Sequence, residues 1–599
     1  MLSTQTVVAP EQTAPSGPRR PENTGPRRAL KEPVLVILGG LALAVAFCWP
    51  IVRAPRTTVL FDLGDPLLQT WELAWQRHFL FDGGDFWTGN IFLGAKNNFA
   101  FTDSLLGYLP FSLIGGDDQA GALLRYNIVF LFASTLAFVG GYWLVRQLGG
   151  SWHAAALGGV VFAWAPWRLA HVHHLNLLST GGIALALFAL ARGHGFSLRG
   201  GFRPELARPG WALAGWLIAT WQITIGFATG LPFSYVLGAV GVAIAVSMWR
   251  KRSQITRRLV LANGVGVGVL LVITLLMILP YLRVVDIYQF KRTAEELAVY
   301  SPPPQGLITT SHFSWLWSDT ALTRWTWEMD PAPWEKWIFP GLVLIMFAVI
   351  GLFVSAWSRR ARILLGAGAV LTGILALGTS FFHGTFTYLL VWRFMPGWDA
   401  LRTPGRLIIW TTLLLILLAA GAVTRLAQAL AEKRTGSPVK RRLLGLVMVL
   451  PAVGAVVESA PVLPYAHPPQ PPAALSEAFR MEPAGPTLVL PIHLTGDSIP
   501  MLWSIKEGFP VIANGNTGNY PKSWTELSKA ATAFPSPRSV DDFKSHGIRK
   551  VIVIRSLLER PRSADDKSPT YERALLRSVQ GLPVTRTDLD SDVVVFTLH

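Results

Sequence analysis

Apolar stretches long enough to matter recur along most of the chain, separated by short polar turns. The first runs from Pro33 to Val52, and others fall at 123–148, 153–170, 175–193, 211–229, 231–249, 259–280, 337–357, 362–378, 406–424 and 442–459. A helix needs about 20 apolar residues to cross a bilayer core, so the pattern predicts a polytopic α-helical membrane protein with about eleven transmembrane helices. The polar positions agree with this reading. Every second connection is basic: Arg146, Arg192 to Arg208, Arg250 to Arg258, Arg359 to Arg362, and Lys433 to Arg442. The alternate connections carry acids, with Asp62, Asp65, Glu72, Asp82, Asp85 and Asp103 in the first of them and Asp286, Glu295, Glu296 and Glu335 in a later one. Basic loops stay on the cytoplasmic side. The expected topology has the N-terminus cytoplasmic and the C-terminus extracytoplasmic, in a cell inner (plasma) membrane.

Residues 1–32 are rich in Pro, Gly, Ser and Thr and carry Arg19, Arg20, Arg27 and Arg28, which predicts a disordered basic cytoplasmic tail. The membrane domain follows at 33–460, with outer loops at 53–122, 281–336 and 379–405. Residues 461–472 hold Pro461, Pro464, Pro468, Pro469, Pro471 and Pro472 and read as a stiff linker. Beyond it, β-rich runs at Thr487–Ile492, Pro510–Ala513, Lys550–Arg555 and Asp592–His599 alternate with helical patterns at about 523–533, 539–546 and 571–579. Alternation of this kind predicts an extracytoplasmic α/β domain over 473–599. It carries His493, Asp497, Lys506, Glu507 and a Gly/Asn-rich turn at 514–519, with no nucleophile–base spacing, and reads as an accessory domain.

Composition narrows the function classes. Of 599 residues, 51% are hydrophobic and 15% charged, with a formal net charge of +17; the mean hydropathy is +0.39. Nucleic acid is not the implied partner, because the positive charges sit in short loops between apolar runs, as membrane topology requires. The lone Cys48 allows no internal disulfide and no cysteine metal cluster. Phe47 before it is too bulky for lipoprotein processing, so Cys48 reads as a core residue and the first span as a retained anchor.

The candidate chemistry is concentrated at the outer ends of the spans. Asp65-Pro66 signals a helix start, with Asp65 as N-cap, and Leu68, Trp71, Trp75 and Phe79 follow at helical spacing. An amphipathic helix on the membrane surface is expected. Asp65, or Asp62 one turn earlier, could take or orient the proton of an acceptor hydroxyl, and capping alone would also account for Asp65. Asp103 opens a short apolar segment, read as a re-entrant or surface element. Trp315, Trp317, Trp325, Trp327 and Trp334 precede Glu335 and read as interfacial residues, with sugar stacking as the alternative.

The order of these parts, an anchor span, an acidic outer loop with a helix, many spans and an exterior α/β domain, resembles the GT-C superfamily of integral membrane glycosyltransferases. The resembling pieces are Gly64-Asp65-Pro66 with Trp71 and Trp75; Pro166-Trp167-Arg168 with His171, His173 and His174; Glu335 before Phe339-Pro340-Gly341; Pro396-Gly397 with Leu401-Arg402-Thr403-Pro404-Gly405-Arg406; and Asn514-Gly515-Asn516-Thr517-Gly518. The resemblance implies a sugar donor on a polyprenyl-phosphate carrier, contact with membrane lipids, and a glycan, lipid or protein acceptor of unknown identity. On that footing Asp65 and Asp62 are the catalytic candidates. Asp103, Arg168, His171, His173, His174, Glu335, Arg402 and Arg406 are the substrate-binding candidates, the arginines for a departing lipid phosphate. No cofactor is called for. His-x-His-His alone does not make a metal site, and a divalent cation stays open. The alternative function is a non-catalytic transporter, flippase or assembly factor for lipid-linked saccharide. That reading favours charges at span centres, where few are found.

Overall fold

The computed structural model describes residues 31–320, 329–432, 447–558, 571 and 573–599. The tail before Lys31, Trp325, Trp327, Glu328 and the basic turn Lys433 to Arg442 lie outside the described residues.

Helices form where the apolar stretches are. They span Lys31–Phe47, Gln119–Gln147, Trp152–Trp164, Gly181–Gly193, Pro209–Ile223, Phe227–Arg250, Arg257–Tyr288, Leu342–Phe353, Arg359–Ala376, Ile408–Glu432 and Leu450–Glu458. Several begin on the cap their sequence supplies. Asp118 accepts from Gly121 N at 2.8 Å, while Ser151 and Thr256 each accept at 3.3 Å from the third residue on. Among the described residues, five helices are long and apolar enough to cross a membrane: Gln119–Gln147, Leu175–Gly193, Phe227–Arg250, Arg257–Tyr288 and Pro404–Glu432. Their burial differs sharply. Pro404–Glu432 has 89% of its apolar window buried and forms the centre, whereas Phe227–Arg250 and Arg257–Tyr288 have 17%. Those two leave long apolar faces uncovered, which suits lipid as the surrounding solvent. Close crossings use small residues: a Cβ on Gly141 would meet Phe162 Cβ at 2.8 Å and Gly158 O at 2.9 Å.

The polar loops gather at two opposite ends. At one, Arg146 Nε meets Glu32 Oε1 at 2.7 Å, Arg192 reaches Gln147 at 3.4 Å, and Lys251 Nζ donates to Phe202 O at 2.9 Å. At the other, the two acidic connections meet residues 473–599: Phe92 N donates to Asn514 O at 3.1 Å and Arg292 to Gly518 O at 3.1 Å.

Residues 473–599 contain a four-stranded mixed sheet in the order Thr487–Leu490, Lys550–Ile554, Val593–Leu598, Val584–Asp588. The first pair is parallel, with Val489 opposite Ile552; the other two are antiparallel, with Ile552 opposite Val595 and Arg586 opposite Phe596. Thr487–Leu490, Lys550–Ile554 and Val593–Leu598 are buried at every position, which explains why they read as continuous apolar segments. Val584–Asp588 is only intermittently buried and gave no strand signal. Pro510–Ala513, expected as a strand, contributes a single bridge, Ile512 to Thr487. Its remaining backbone bonds go elsewhere: Ile512 N donates to Asn90 O and Leu93 N to Ile512 O, both at 2.8 Å, and Phe92 N donates to Asn514 O at 3.1 Å. The connection at 53–122 therefore borrows part of an edge from the C-terminal unit. The proline-rich segment is engaged as well, since Tyr465–Ala466 pairs antiparallel with Val59–Leu60.

Helix Asp65–Asp82 forms as expected but differs in two respects. Gly64 is the cap and Asp65 the first helical residue, so the cap has no side chain to offer. The helix is also not a surface helix: Pro66 to Gln76 are all buried, packed by helices Gln119–Gln147 and Ser498–Ser504. Its polar face is covered by protein, and only the last turn, with Leu80 and Phe81, is exposed.

Gly515 sits at the joint between loop and C-terminal unit, where a Cβ would overlap the Phe92 ring, itself 2% exposed. Gly515→Ala is expected to destabilise the protein by about 1–3 kcal/mol, read as a lower thermal midpoint in detergent. An unchanged midpoint would mean that the joint is loose.

Candidate functional site

Three segments converge on Asp65. Pro166 interrupts the helix that ends at Trp164, and the chain turns through a short helix, Pro166–Leu169, into the turn that carries His171, His173 and His174. Trp167 clamps this turn, with its N–H on Phe339 O at 3.1 Å and its indole on Thr412 Oγ1 at 3.1 Å. The acid helix holds it from the other side: Gln69 accepts from Leu175 N at 3.0 Å and donates to Asn176 Oδ1 at 3.3 Å. Glu335 ends the short turn Pro333–Glu335, and Arg406 lies in the turn Pro404–Leu407 that opens the central helix.

His174 Nε2 lies 3.1 Å from Asp65 Oδ2, and His174 Nδ1 lies 3.1 Å from His171 Nδ1. The network assigns the protons. If His174 donates from Nε2 to the carboxylate, its Nδ1 is a lone pair, and His171 Nδ1 must donate to it. The result is a chain from His171 through His174 to Asp65. Burial lowers the pKa of His171 and His174 to about 3 and that of His173 well below the usual range. All three rings are therefore neutral at pH 7 and enter as hydrogen-bonding or stacking groups. They do not supply the protonated imidazoles that a phosphate would favour. His173 stacks on Phe61 at 4.3 Å and 23°, with Trp334 edge-on at 6.0 Å. Phe61 is held in the left-handed region at φ 74, with its N–H on Pro464 O at 2.7 Å.

Asp65 keeps 34% of its side chain open while enclosed by protein, which describes a group at the floor of a recess. Burial raises its pKa, and the charges of Arg406 and Arg402 pull it partly back. Asp62 is exposed and turns its Oδ1 onto Gly64 N at 2.9 Å.

The arginines divide into two groups. Arg406 grips both oxygens of Glu335, at 2.5 and 3.1 Å. Burial alone would raise the Glu335 pKa, but the Arg406 charge and its hydrogen bonds bring it well below the carboxylate range. Arg402 and Arg292 share a single acid, Glu296, at 3.1 and 3.0 Å. The first group is neutral overall, and the second keeps one positive charge unmatched. Arg292 also donates to Gly518 O at 3.1 Å, so the Gly/Asn-rich turn reaches the site.

Two other candidates support the site from outside it. Arg168 is 2% exposed and bonds Leu178 O and Thr180 Oγ1. Asp103 does not start its own segment. It accepts from Asn176 Nδ2 at 2.6 Å and from Ala228 N at 3.1 Å, at the first turn of helix Phe227–Arg250. Arg292, Glu296 and Glu72 were not candidates on sequence. The i,i+4 spacing of Arg292 and Glu296 on either side of the Thr293 cap was the available signal. Glu72 reads as a loop acid but is buried in the acid helix. Burial, then the charges of Asp103 and Asp65, pushes its pKa well above the usual value.

Asp497 and Asn514 hold the C-terminal unit together. Asp497 accepts from His493 N, Asn514 Nδ2, Gly515 N and Trp524 Nε1 at 2.9–3.1 Å.

His171, His174 and Glu335 each offer a ligand atom within 4.8 Å of the others, a set that could hold a divalent cation. In the geometry described, those positions are already engaged. The two Nδ1 atoms share a proton and Glu335 is bound by Arg406, so a cation would have to displace the proton and draw an oxygen from the guanidinium.

Glu335→Gln leaves Arg406 buried without a counter-charge and is expected to destabilise the protein by about 3–5 kcal/mol. The double variant Glu335→Gln, Arg406→Gln should recover part of that loss, both read by thermal unfolding in detergent. Equal loss in the two would rule out the ion pair as the cause.

No protein-family model matches the chain, and no curated sequence matches it. Among solved structures it is similar to the arabinofuranosyltransferase AftD from Mycobacteria, at 14% identity and a TM-score of 0.52, over 95% of this chain and 41% of AftD. Weaker likenesses are to the oligosaccharyltransferase AglB from Archaeoglobus fulgidus in complex with an inhibitory peptide and a dolichol-phosphate (12%, TM-score 0.42, 88% and 70%) and to ArnT from Cupriavidus metallidurans bound to undecaprenyl phosphate (13%, TM-score 0.38, 94% and 97%). The chain thus spans 41% of the length of AftD, and at this identity the likeness speaks to architecture alone: over that length the two share a fold.

Proposed function

We propose that the chain moves a sugar from a polyprenyl-phosphate carrier to an acceptor hydroxyl at the extracytoplasmic face of a cell inner membrane. The observation that carries this reading is the recess itself. An acid with one oxygen beside a neutral imidazole feels the charges of Arg406 and Arg402, and Arg402 shares its one acid, Glu296, with Arg292. An apolar cavity of about 570 Å³ has Leu407, next to Arg406, and Trp398, four residues before Arg402, in its lining. It offers a place for the carrier's hydrocarbon chain. AftD, which shares the architecture, is an arabinofuranosyltransferase; fold alone does not decide activity.

In this reading the acceptor hydroxyl gives its proton to Asp65 as its oxygen attacks the anomeric carbon. The bond from that carbon to the carrier phosphate breaks, and the phosphate leaves with the electron pair. His174 orients the carboxylate through Nε2. The surplus charge of Arg292 and Arg402 meets the charge growing on the phosphate. Arg406 positions Glu335 and the mouth of the central helix. Asp103 and Arg168 hold the histidine turn, and Asp62 shapes the loop. The basic loops lie together at the opposite end, which supports a cytoplasmic N-terminus, an extracytoplasmic α/β domain at 473–599 and about eleven spans.

Asp65→Asn is expected to lower sugar transfer from membrane lipids about 100-fold or more with normal insertion, while Asp62→Asn costs under about tenfold. Arg402→Gln should raise KM for the lipid donor more than it lowers kcat. Since burial raises the Asp65 pKa, activity should fall with decreasing pH through a limb lying above the ordinary aspartate value. Transfer that survives Asp65→Asn would remove the base. Movement of lipid-linked saccharide across vesicles with no transfer at all would favour the transporter reading. Loss of activity on chelation, restored by a divalent cation, would put a metal on His171, His174 and Glu335 in place of the shared proton.

A further inference from the structure

At the end opposite the recess, the connection between helices Gly181–Gly193 and Pro209–Ile223 folds into a small hairpin, with Phe196–Ser197 paired to Gly201–Phe202. The hairpin and the end of helix Gln119–Gln147 line a second cavity of about 690 Å³, open to the surface. Arg192, Arg199, Arg203 and Arg208 line it, against one acid, Glu205. Four guanidinium groups and one carboxylate leave three unmatched positive charges around one space.

Arg192 lies deepest. Its guanidinium stands 5.3 Å over the Trp211 ring and one nitrogen reaches Gln147 at 3.4 Å, but its Nε, shielded from solvent, has no hydrogen-bond partner. Arg199 and Arg203 are exposed. An unspent buried donor beside exposed cations suits an anion with several oxygens, because a guanidinium binds phosphate through paired N–H groups.

The surroundings select the kind of anion. Phe196 lines both this basic cavity and the 570 Å³ apolar cavity, whose lining continues through Leu198, Phe202 and Leu148. Phe196, Leu206 and Trp211 also present apolar surface at the rim, at 37%, 47% and 38% exposure. A charged space that adjoins an apolar one matches an amphiphile, whereas a free phosphate would need only the arginines. Basic pockets between membrane helices take anionic lipid headgroups in general.

We propose that this cavity binds the phosphate headgroup of an anionic phospholipid, with an acyl chain passing Phe196 into the inner end of the apolar cavity. The site is separate from the Asp65 recess, and the proposal stands whether or not the chain transfers sugar.

The test uses the full chain purified in a zwitterionic detergent. Phosphatidylglycerol, phosphatidylcholine and inorganic phosphate are added separately, with bound lipid counted by native mass spectrometry and stability read from the thermal midpoint. Phosphatidylglycerol should be retained and raise the midpoint, and the other two should not. Arg199→Gln, Arg203→Gln should bind phosphatidylglycerol about tenfold more weakly or less. These two side chains are exposed, so the double variant should fold normally. Arg250→Gln, Arg252→Gln removes two exposed cations from a neighbouring loop and should leave retention unchanged. Phe196→Ala should weaken phosphatidylglycerol retention as well. Equal binding by the Arg199, Arg203 variant and the unmodified chain would overturn the site. Equal stabilisation by inorganic phosphate would overturn the lipid as its occupant, and equal loss in the Arg250, Arg252 variant would reduce the effect to general surface charge.

Discussion

A buried carboxylate keeps its charge only where a partner stabilises it, and much of this end of the molecule follows from Glu335 finding that partner in a cation. Its partner, Arg406, belongs to the turn that opens the most buried helix of the bundle, so the pair fastens the second acidic connection to the centre of the membrane body. Because Arg406 is fully engaged there, it has little charge left for a ligand. Arg402 and Arg292 share one acid and do have charge to spare. The three arginines thus differ in electrostatic role even though they occupy one neighbourhood.

The same constraint shapes the histidine turn. Buried imidazoles lose their protons, and a neutral ring can pass hydrogen-bond polarity in one direction only. That makes the turn an orienting device for Asp65, held by Trp167 on one side and Gln69 on the other. The C-terminal unit contributes as well. Its residues 512–514 bond the backbone of residues 90–93, its Gly518 touches Arg292, and the proline-rich segment pins the left-handed Phe61. It is a built-in wall of the recess, more closely joined than a tethered domain would be.

Sequence and structure diverge where covering surfaces come from distant segments. Leu68, Trp71, Trp75 and Phe79 recur at helical spacing, so a helix after Gly64 was legible. Its burial from Pro66 to Gln76 was not, because the residues that cover its polar face come from residues 119–147 and 498–504. Asp103 looked like the opening of its own short segment and instead closes the start of a helix more than a hundred residues later. Glu72 looked like one loop acid among several, and only packing makes it a buried one.

What the chain determines by itself is local and periodic: where apolar runs make helices, which loops are basic, where Asp, Ser and Thr cap, and that acids collect at one set of span ends. Those properties depend on neighbours a few residues away, so composition and spacing carry them. Which acid lies open, which arginine keeps free charge, and which histidine nitrogen holds a proton depend on groups brought together from across the sequence, His174 with Asp65 and Arg402 with Glu296. Tertiary structure alone decides these, because electrostatic energy depends on distance and burial in space, which separation along the chain does not report.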